Sequence, residues 1–300
     1  MTEVESPAFD CQTAACILRE ACSAVDVDPN GIELVRLGDH AVFRLEGGDV
    51  IARVGRSPSR LPSVQTEVAV ANWLAKSAFP SARLIPHSMQ PVVVDGYPVT
   101  FWMSAGDGDT YASTREMGIL LRRLHDLPAP SFPLPPLRPF DKAAKRLAQA
   151  QIPGETREFL EKRIAVLASE YDELHYALPL GTLHGDFNIG NVLLDSAGCP
   201  TVIDLDGFAI GPREWDLMQT AMYFDSFGWH TAEEYADFAN GYGFDVRQWS
   251  GYPVLRSVRE LLMVLWLIQN AGVDPRAANE VERRVESLRS GTSRRDWAPF

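Results

Sequence analysis

The chain has 300 residues, 46% hydrophobic and 23% charged, with a formal net charge of -12. That balance suits a folded chain large enough for two lobes, excludes extensive disorder, and argues against nucleic acid as a partner while mildly favouring a cationic one. Cys11, Cys16, Cys22 and Cys199 show neither a C-x-x-C pair nor metal spacing, so they read as free thiols of a reducing compartment, the first three as helix packing residues.

Met1 to Pro7 is acidic and lacks a basic stretch before an apolar run, so it is not a signal peptide. The longest apolar segment, Leu261 to Ile268, falls far short of the roughly 20 residues that cross a bilayer. The expectation is a soluble cytoplasmic protein that uses no membrane.

Asp10 is placed to cap a helix running to about Val25. Three strand-like runs follow, Ile32 to Leu37, Ala41 to Leu45 and Val50 to Val54, the last two joined by a Glu46 to Asp49 turn. These predict an antiparallel sheet. In the third strand alternation sets Ile51 and Arg53 on one face and Val50, Ala52 and Val54 on the other. Ser63 to Ala75 reads as a helix whose inward stripe is Val64, Glu67, Val68, Ala71 and Leu74. A lone buried carboxylate costs several kcal/mol unless paired, so an ion pair between Arg53 and Glu67 is expected.

Between the first two strands, Leu37 to Ala41 contains one glycine, Gly38, and no G-x-G-x-x-G pattern, and His40 reads as a surface histidine. Val92 to Val94 and Val99 to Met103 form a second hairpin, which runs into the small, acidic Ser104 to Asp109. Pro128 to Pro139 reads as an ordered connector. Helices are predicted over Thr114 to Leu124 and Glu155 to Leu174, with His125 a packed structural residue.

The chemistry concentrates next. His184-x-Asp186-x-x-x-x-Asn191 supplies a carboxylate and, five residues on, a neutral amide oxygen. A phosphoryl transfer needs a carboxylate to accept the proton of the attacking hydroxyl and oxygen ligands to hold magnesium against nucleotide phosphates. Val192 to Leu194, a turn, and Thr201 to Ile203 read as strand, turn and strand delivering Asp204, thirteen positions after Asn191. That pattern predicts Asn191 and Asp204 on neighbouring backbones, close enough to share a metal. Asp206 points to the same side as Asp204 if the strand continues. Gly211 to Leu217 starts a helix through Tyr223, and Thr231 to Tyr242, Pro253 to Asn270 and Pro275 to Leu288 read as three more. Glu233, Glu234 and Asp237 read as a solvated face, although an amine could bind there. Trp297 and Phe300 of the tail are expected to pack back on the body.

In combination, His184 to Asn191 with Ile203-Asp204 resembles the aminoglycoside phosphotransferase and choline kinase-like family, built on the protein-kinase fold, and the resemblance covers nearly the whole chain. It implies an α+β, bilobal protein-kinase-like fold. Residues 1–103, with the helix 10–25, would be a small antiparallel-sheet nucleotide-binding lobe with one main helix. Residues 104–109 would be the hinge, and 110–300 a larger, mostly helical catalytic and acceptor-binding lobe. The resemblance implies Asp186 as catalytic base, Asn191 and Asp204 as magnesium ligands that complete the catalytic set, and His184 as a scaffold residue of the loop. Asp216 matches a buried aspartate that holds that loop through its backbone, and Asp206 would be an outer-sphere magnesium group or a hydrogen-bond partner for the loop.

For the nucleotide it implies Gly38 in the loop over the phosphates, Ile51 on one side of the base, and the backbone from Trp102 and Met103 to Ala105 at the adenine edge. Arg53, braced by Glu67, would hold phosphates. Protein kinases usually place lysine there, and this chain has only four lysines among its 28 basic residues. Guanidinium is a planar fork and ammonium a point charge, so the two are not equivalent at a phosphate. The implied cofactors are ATP, with GTP as the alternative donor, and Mg2+.

Asp216 follows Asp204 by only twelve positions, too few for a peptide-binding activation segment. That favours a small-molecule hydroxyl acceptor, the charge mildly favours a cationic one, and the resemblance implies an aminoglycoside, amino sugar or related amino alcohol. A primary-metabolic kinase for choline, homoserine or a sugar shares every one of these motifs, and a catalytically silent nucleotide-binding module is the third reading.

Overall fold

The computed structural model describes residues 9–38, 40–45, 47–106, 108–269, 271–272 and 274–300. The acidic start, Asp39 of the first turn, Glu46 of the second, Asp107 of the expected hinge and Asn270 at the expected helix end lie outside the described residues.

The elements in chain order begin with α1 (Cys11–Ala24), β1 (Glu33–Leu37), β2 (His40–Arg44), β3 (Val50–Gly55), α2 (Leu61–Lys76), β4 (Val92–Val94) and β5 (Tyr97–Met103). Next come α3 (Thr114–His125), α4 (Ala143–Gln149), α5 (Gly154–Asp172), β6 (Leu180–Leu183), β7 (Val192–Leu194), β8 (Pro200–Val202) and β9 (Ala209–Pro212). The chain closes with α6 (Glu214–Asp225), α7 (Ala232–Tyr242), α8 (Tyr252–Leu267) and α9 (Pro275–Ser290). Among the described residues no helix is long and apolar enough to cross a membrane.

By contact the chain divides into two units. The first gathers residues 1–112, 130–134 and 190–208. Its sheet is antiparallel in the order β1-β2-β3-β5-β4. Asp10 caps α1 by accepting the Thr13 amide at 2.8 Å, which frees the helix to lay Ala14, Ile17, Leu18, Ala21 and Cys22 into the core with Phe43, Ala52, Val54 and Phe101. Cys11 and Cys16, expected as packing residues, are exposed because the helix turns them to water, and only Cys22 packs. Ala52 and Val54 face that core, so strand alternation puts Arg53 on the opposite face. The hairpin β7–β8 completes the unit, with Tyr111 bridging to Leu193 and Ser81 to Val202.

The second unit comprises residues 113–129, 135–189 and 209–300. Its small sheet pairs β6 with β9, Leu183 opposite Ala209, and Pro135 and Leu137 bond to either side of Ile210. Residues 135–137 of the proline-rich connector therefore serve as an edge for β9. The apolar helix α8 buries Leu255, Val258, Leu261, Val264 and Leu265 and is packed by α4, α5, α6 and α9. Glycine permits the closest helix approach: a Cβ on Gly118 of α3 would lie 2.2 Å from the Phe238 carbonyl of α7, and one on Gly241 of α7 2.6 Å from the Arg115 carbonyl. Trp297 is 2% exposed, stacked on Phe227. Phe300, expected to pack beside it, is 47% exposed, with the Arg276 guanidinium over its ring.

Candidate active site

In the first unit a set of charges surrounds Arg53. Its Nη1 donates to Glu67 Oε1 at 2.5 Å, and its Nη2 lies 3.4 Å from Asp204 Oδ1 and 3.9 Å from Asp206 Oδ2. Glu67 comes from the buried stripe of α2 that the sequence marks. Burial pushes its carboxyl up to about 7, Arg53 opposes that, and the Asp206 and Asp204 charges add to it. Arg53 itself titrates above the usual arginine range: burial works against the charged form, and Glu67, Asp204 and Asp206 outweigh it.

Asn191 and Asp204 arrive on adjacent backbones, as the spacing predicts, for the Ile203 amide donates to the Asn191 carbonyl at 2.9 Å beside the Val192–Val202 pair. Asp204 adopts φ 59°, ψ 64°, and Leu205 to Gly207 form a tight 3-10 turn. The strand does not continue, so the alternation argument for Asp206 fails. The turn instead carries its carboxylate to within 3.8 Å of His40 Nε2. His40, expected at the surface, is 6% exposed because Arg60 Nη2 meets its Nε2 at 3.1 Å in the same cluster. Burial alone would raise Asp206, yet hydrogen bonding with His40 and the Arg53 charge bring it down to about 2.

The remaining nucleotide candidates also lie in this unit. Gly38 sits in a tight hairpin turn, its amide donating to the His40 carbonyl at 3.0 Å and its carbonyl accepting from Arg56 at 3.2 Å. Ile51 is half-buried opposite Trp102 in the β3–β5 register. Trp102 is buried, with Nε1 donating to Thr100 Oγ1, whereas Met103 is 44% exposed. The Met103 amide donates to the Arg83 carbonyl at 2.7 Å and the Ser104 amide to the Asp49 carbonyl at 2.8 Å. Those two donors are already engaged within the unit, which narrows the expected adenine contact to the rest of that backbone.

The second unit builds the loop that follows β6. Asp216 of α6, 1% exposed, accepts the His184 amide at 2.7 Å with Oδ2 and the Gly185 amide at 2.8 Å with Oδ1. His125 Nε2 lies 3.1 Å from the same carboxylate, and its Nδ1 is 2.8 Å from the Tyr242 hydroxyl. Burial tends to raise Asp216, but the contacts with His125 and His184 hold it below the usual carboxylate range. Trp215 Nε1 donates to the Gly185 carbonyl at 2.9 Å, so consecutive residues of α6 grip the loop from two sides. His184 is fully buried, its ring edge-on to Phe187. Asp186 follows with its side chain 52% exposed, at 3.4 Å from Arg259 Nη2 of α8.

Arg259 was not among the residues the sequence singles out. It shares α8 with Arg256 and Glu260, so its charge did not stand out from its neighbours. Of the acidic candidates for an amine, Glu234 closes a capping box with Thr231; on the neighbouring α6, Asp225 is held by Arg256 at 2.7 Å, Tyr252 at 3.1 Å and Arg247 at 3.3 Å. Among the described residues no group of three His, Cys, Asp or Glu side chains gathers as a metal site. The donor set of Asp204 and Asn191 nevertheless suits a hard cation that takes its other ligands from phosphate and water. Around Arg53 three carboxylates face two arginines and a histidine, and Asp204, 41% exposed, is the carboxylate most open to such an ion.

Comparison with known proteins bears on the fold and the family. An amicoumacin kinase, hAmiN, in complex with AMP-PNP, Ca2+ and Ami, matches with a TM-score of 0.70 at 14% identity, over 97% of this chain and 96% of that one. A microcompartment-associated aminopropanol kinase matches with a TM-score of 0.69 at 19% identity, over 92% and 98%. Aminoglycoside phosphotransferase APH(3'')-Id from Streptomyces rimosus gives 0.63 at 20% identity, over 85% and 99%. These likenesses establish the α+β kinase-like fold. In sequence, a protein of Lactiplantibacillus plantarum described as "Probable ketoamine kinase" is 39% identical over 70 residues, 23% of this chain and 24% of that protein. The model of the phosphotransferase enzyme family, APH, matches residues 33–257. The chain belongs to that family and is a small-molecule kinase of it.

Proposed function

We propose that the protein transfers the γ-phosphoryl group of ATP to a hydroxyl of an amino alcohol or amino sugar, the chemical class that includes aminoglycosides, in the cytoplasm. The observation that carries the reading is the Asp216 carboxylate bonded to two successive loop amides, which fixes the backbone and leaves Asp186 open to an acceptor. A base must be held still and yet reachable. Asp186 orients the acceptor hydroxyl and takes its proton as the oxygen bonds to phosphorus and the bond to ADP breaks. Arg53, fixed by Glu67, holds phosphate oxygens with N–H groups of its planar fork.

Asn191 and Asp204 would hold Mg2+, which when bound supplies charge neutralisation at the nucleotide phosphates. Asp186 and Asn191, the proton acceptor and a metal ligand in this reading, lie five residues apart in sequence. The amine on the acceptor is supported by the names of the relatives, since aminopropanol, aminoglycosides and ketoamines all carry one.

The test is coupled ADP release with Mg-ATP and Mg-GTP over aminoglycosides, amino sugars, choline, aminopropanol, homoserine and ketoamines, with Asp186→Asn as control. Turnover with one acceptor class that vanishes in the variant supports the reading. Failure to bind either nucleotide would overturn it.

A further inference from the structure

Within the second unit, Asp186 meets a guanidinium. Arg259 Nη2 lies 3.4 Å from Asp186 Oδ1, and the Arg259 side chain, 13% exposed, rests over the Trp215 ring at 4.7 Å. No residue from Phe187 to Asn191 is basic, so this cation is brought to the loop by a separate helix. Trp215, Gln219 and Tyr223 follow one another at four-residue intervals along α6, on one face of it. Gln219 Nε2 donates to the Tyr223 hydroxyl at 3.1 Å, and its Oε1 is buried with no hydrogen-bond partner among the described residues. Tyr223 lies near enough for its titration to respond to both Asp186 and Arg259.

The charge balance of this face matters for the acceptor. Asp186 alone would attract a cation, and Arg259 cancels it. An acceptor carrying only positive groups, such as a polyamine sugar, would meet like charge beside the base, and like charges in contact are a strong discriminator against a ligand. Two acidic residues of the same unit are engaged elsewhere, Asp225 by two arginines and Asp245 by the Tyr235 hydroxyl and the Arg247 amide. Among the described residues Arg259 has one hydrogen bond, the 3.4 Å contact with Asp186, and a guanidinium fork matches carboxylate and phosphate oxygens.

We propose that Arg259 is a specificity-determining residue that selects acceptors bearing an anionic group, a carboxylate or a phosphate ester, near the hydroxyl to be phosphorylated. Resting on the kinase reading above, this narrows the acceptor to a zwitterionic amino alcohol, with Arg259 on the anion.

The experiment uses matched acceptors that differ by the anion alone: L-homoserine against 3-amino-1-propanol, fructosyl-glycine against 1-deoxy-1-(methylamino)fructose, and serinol phosphate against serinol. The first two pairs test carboxylate and the third phosphate. Coupled ADP release is measured for the full chain, Arg259→Gln and Arg259→Lys, with nucleotide-induced thermal shift as the check on folding. The expected result is turnover on an anionic member, a fall of about 10- to 100-fold in kcat/KM for it in Arg259→Gln, partial rescue by lysine, and a narrowed ratio between members. Preference for the uncharged or cationic members overturns the inference, as does an equal loss on both members, which would assign Arg259 to the transferred phosphoryl group. Silence on every pair with nucleotide binding intact also overturns it while leaving the kinase reading standing. Absence of nucleotide binding in the unaltered protein overturns the kinase reading itself.

Discussion

Glu67 and Arg53 meet at 2.5 Å with side chains 1% and 16% exposed, one from α2 and one from the β3 face turned away from the apolar core. Removing one partner of such a pair strands the other's charge. Glu67→Ala is expected to cost about 2–4 kcal/mol, less than a fully isolated pair because Asp204 and Asp206 still face Arg53. Urea unfolding measures that loss, and nucleotide KM should rise alongside it. A variant as stable as the parent would show that the pair contributes nothing net.

Asp186→Asn keeps the shape of the side chain and removes the proton acceptor. The expected fall in kcat is about 10²- to 10⁴-fold, with nucleotide affinity unchanged. Steady-state kinetics paired with nucleotide titration separates the two quantities. A change in nucleotide affinity with kcat preserved would place Asp186 on the wrong substrate.

Asp216 gives the chain an acid limit. Its carboxyl titrates below the usual value of 3.8 in the folded protein and near it when unfolded. The unfolded state therefore binds the proton more readily between those values, so the stabilisation is present above 3.8 and disappears as the pH falls through the folded value. Unfolding free energy measured from pH 6 down to pH 2 should drop along that limb. Asp216→Asn should be less stable at neutral pH and lack the Asp216 part of the slope.

Gly118→Ala tests the approach of α3 to α7. The new Cβ would press on backbone at 2.2 Å, and backbone gives way less readily than a side-chain tip. A loss of about 3 kcal/mol in thermal or urea unfolding is expected, with the helices forced apart. An unchanged melting temperature would show that the crossing is looser than this.

Where a residue contradicted its local pattern, the sequence was readable. Glu67 in an apolar stripe and Arg53 on a strand face pointed to each other across fourteen positions, and the buried pair follows from charge and periodicity alone. The β7–β8 hairpin was legible from its length and turn. Other features depended on tertiary contacts that leave no periodic trace. β9 was hidden because Gly211-Pro212 reads as the start of a helix, yet pairing with β6 and with Pro135 and Leu137 makes it a strand. α4 is short and gave too few turns to show a stripe. His40 looked like a surface residue because Asp206 and Arg60, which enclose it, lie far along the chain. Arg259 escaped notice for the same reason, its meaning set by a loop more than seventy positions earlier.

The left-handed backbone at Asp204 restricts position 204 twice over. With φ at 59°, β-branched and bulky side chains are strained there, while glycine, asparagine and aspartate tolerate the conformation. Only one of those three carries a negative charge. In a library of all substitutions at this site, glycine and asparagine should accumulate among folded but inactive proteins, and glutamate, which keeps the charge, should fail through its backbone. Shape and charge can thus be lost separately at a single residue, which makes position 204 a place to learn what each one contributes.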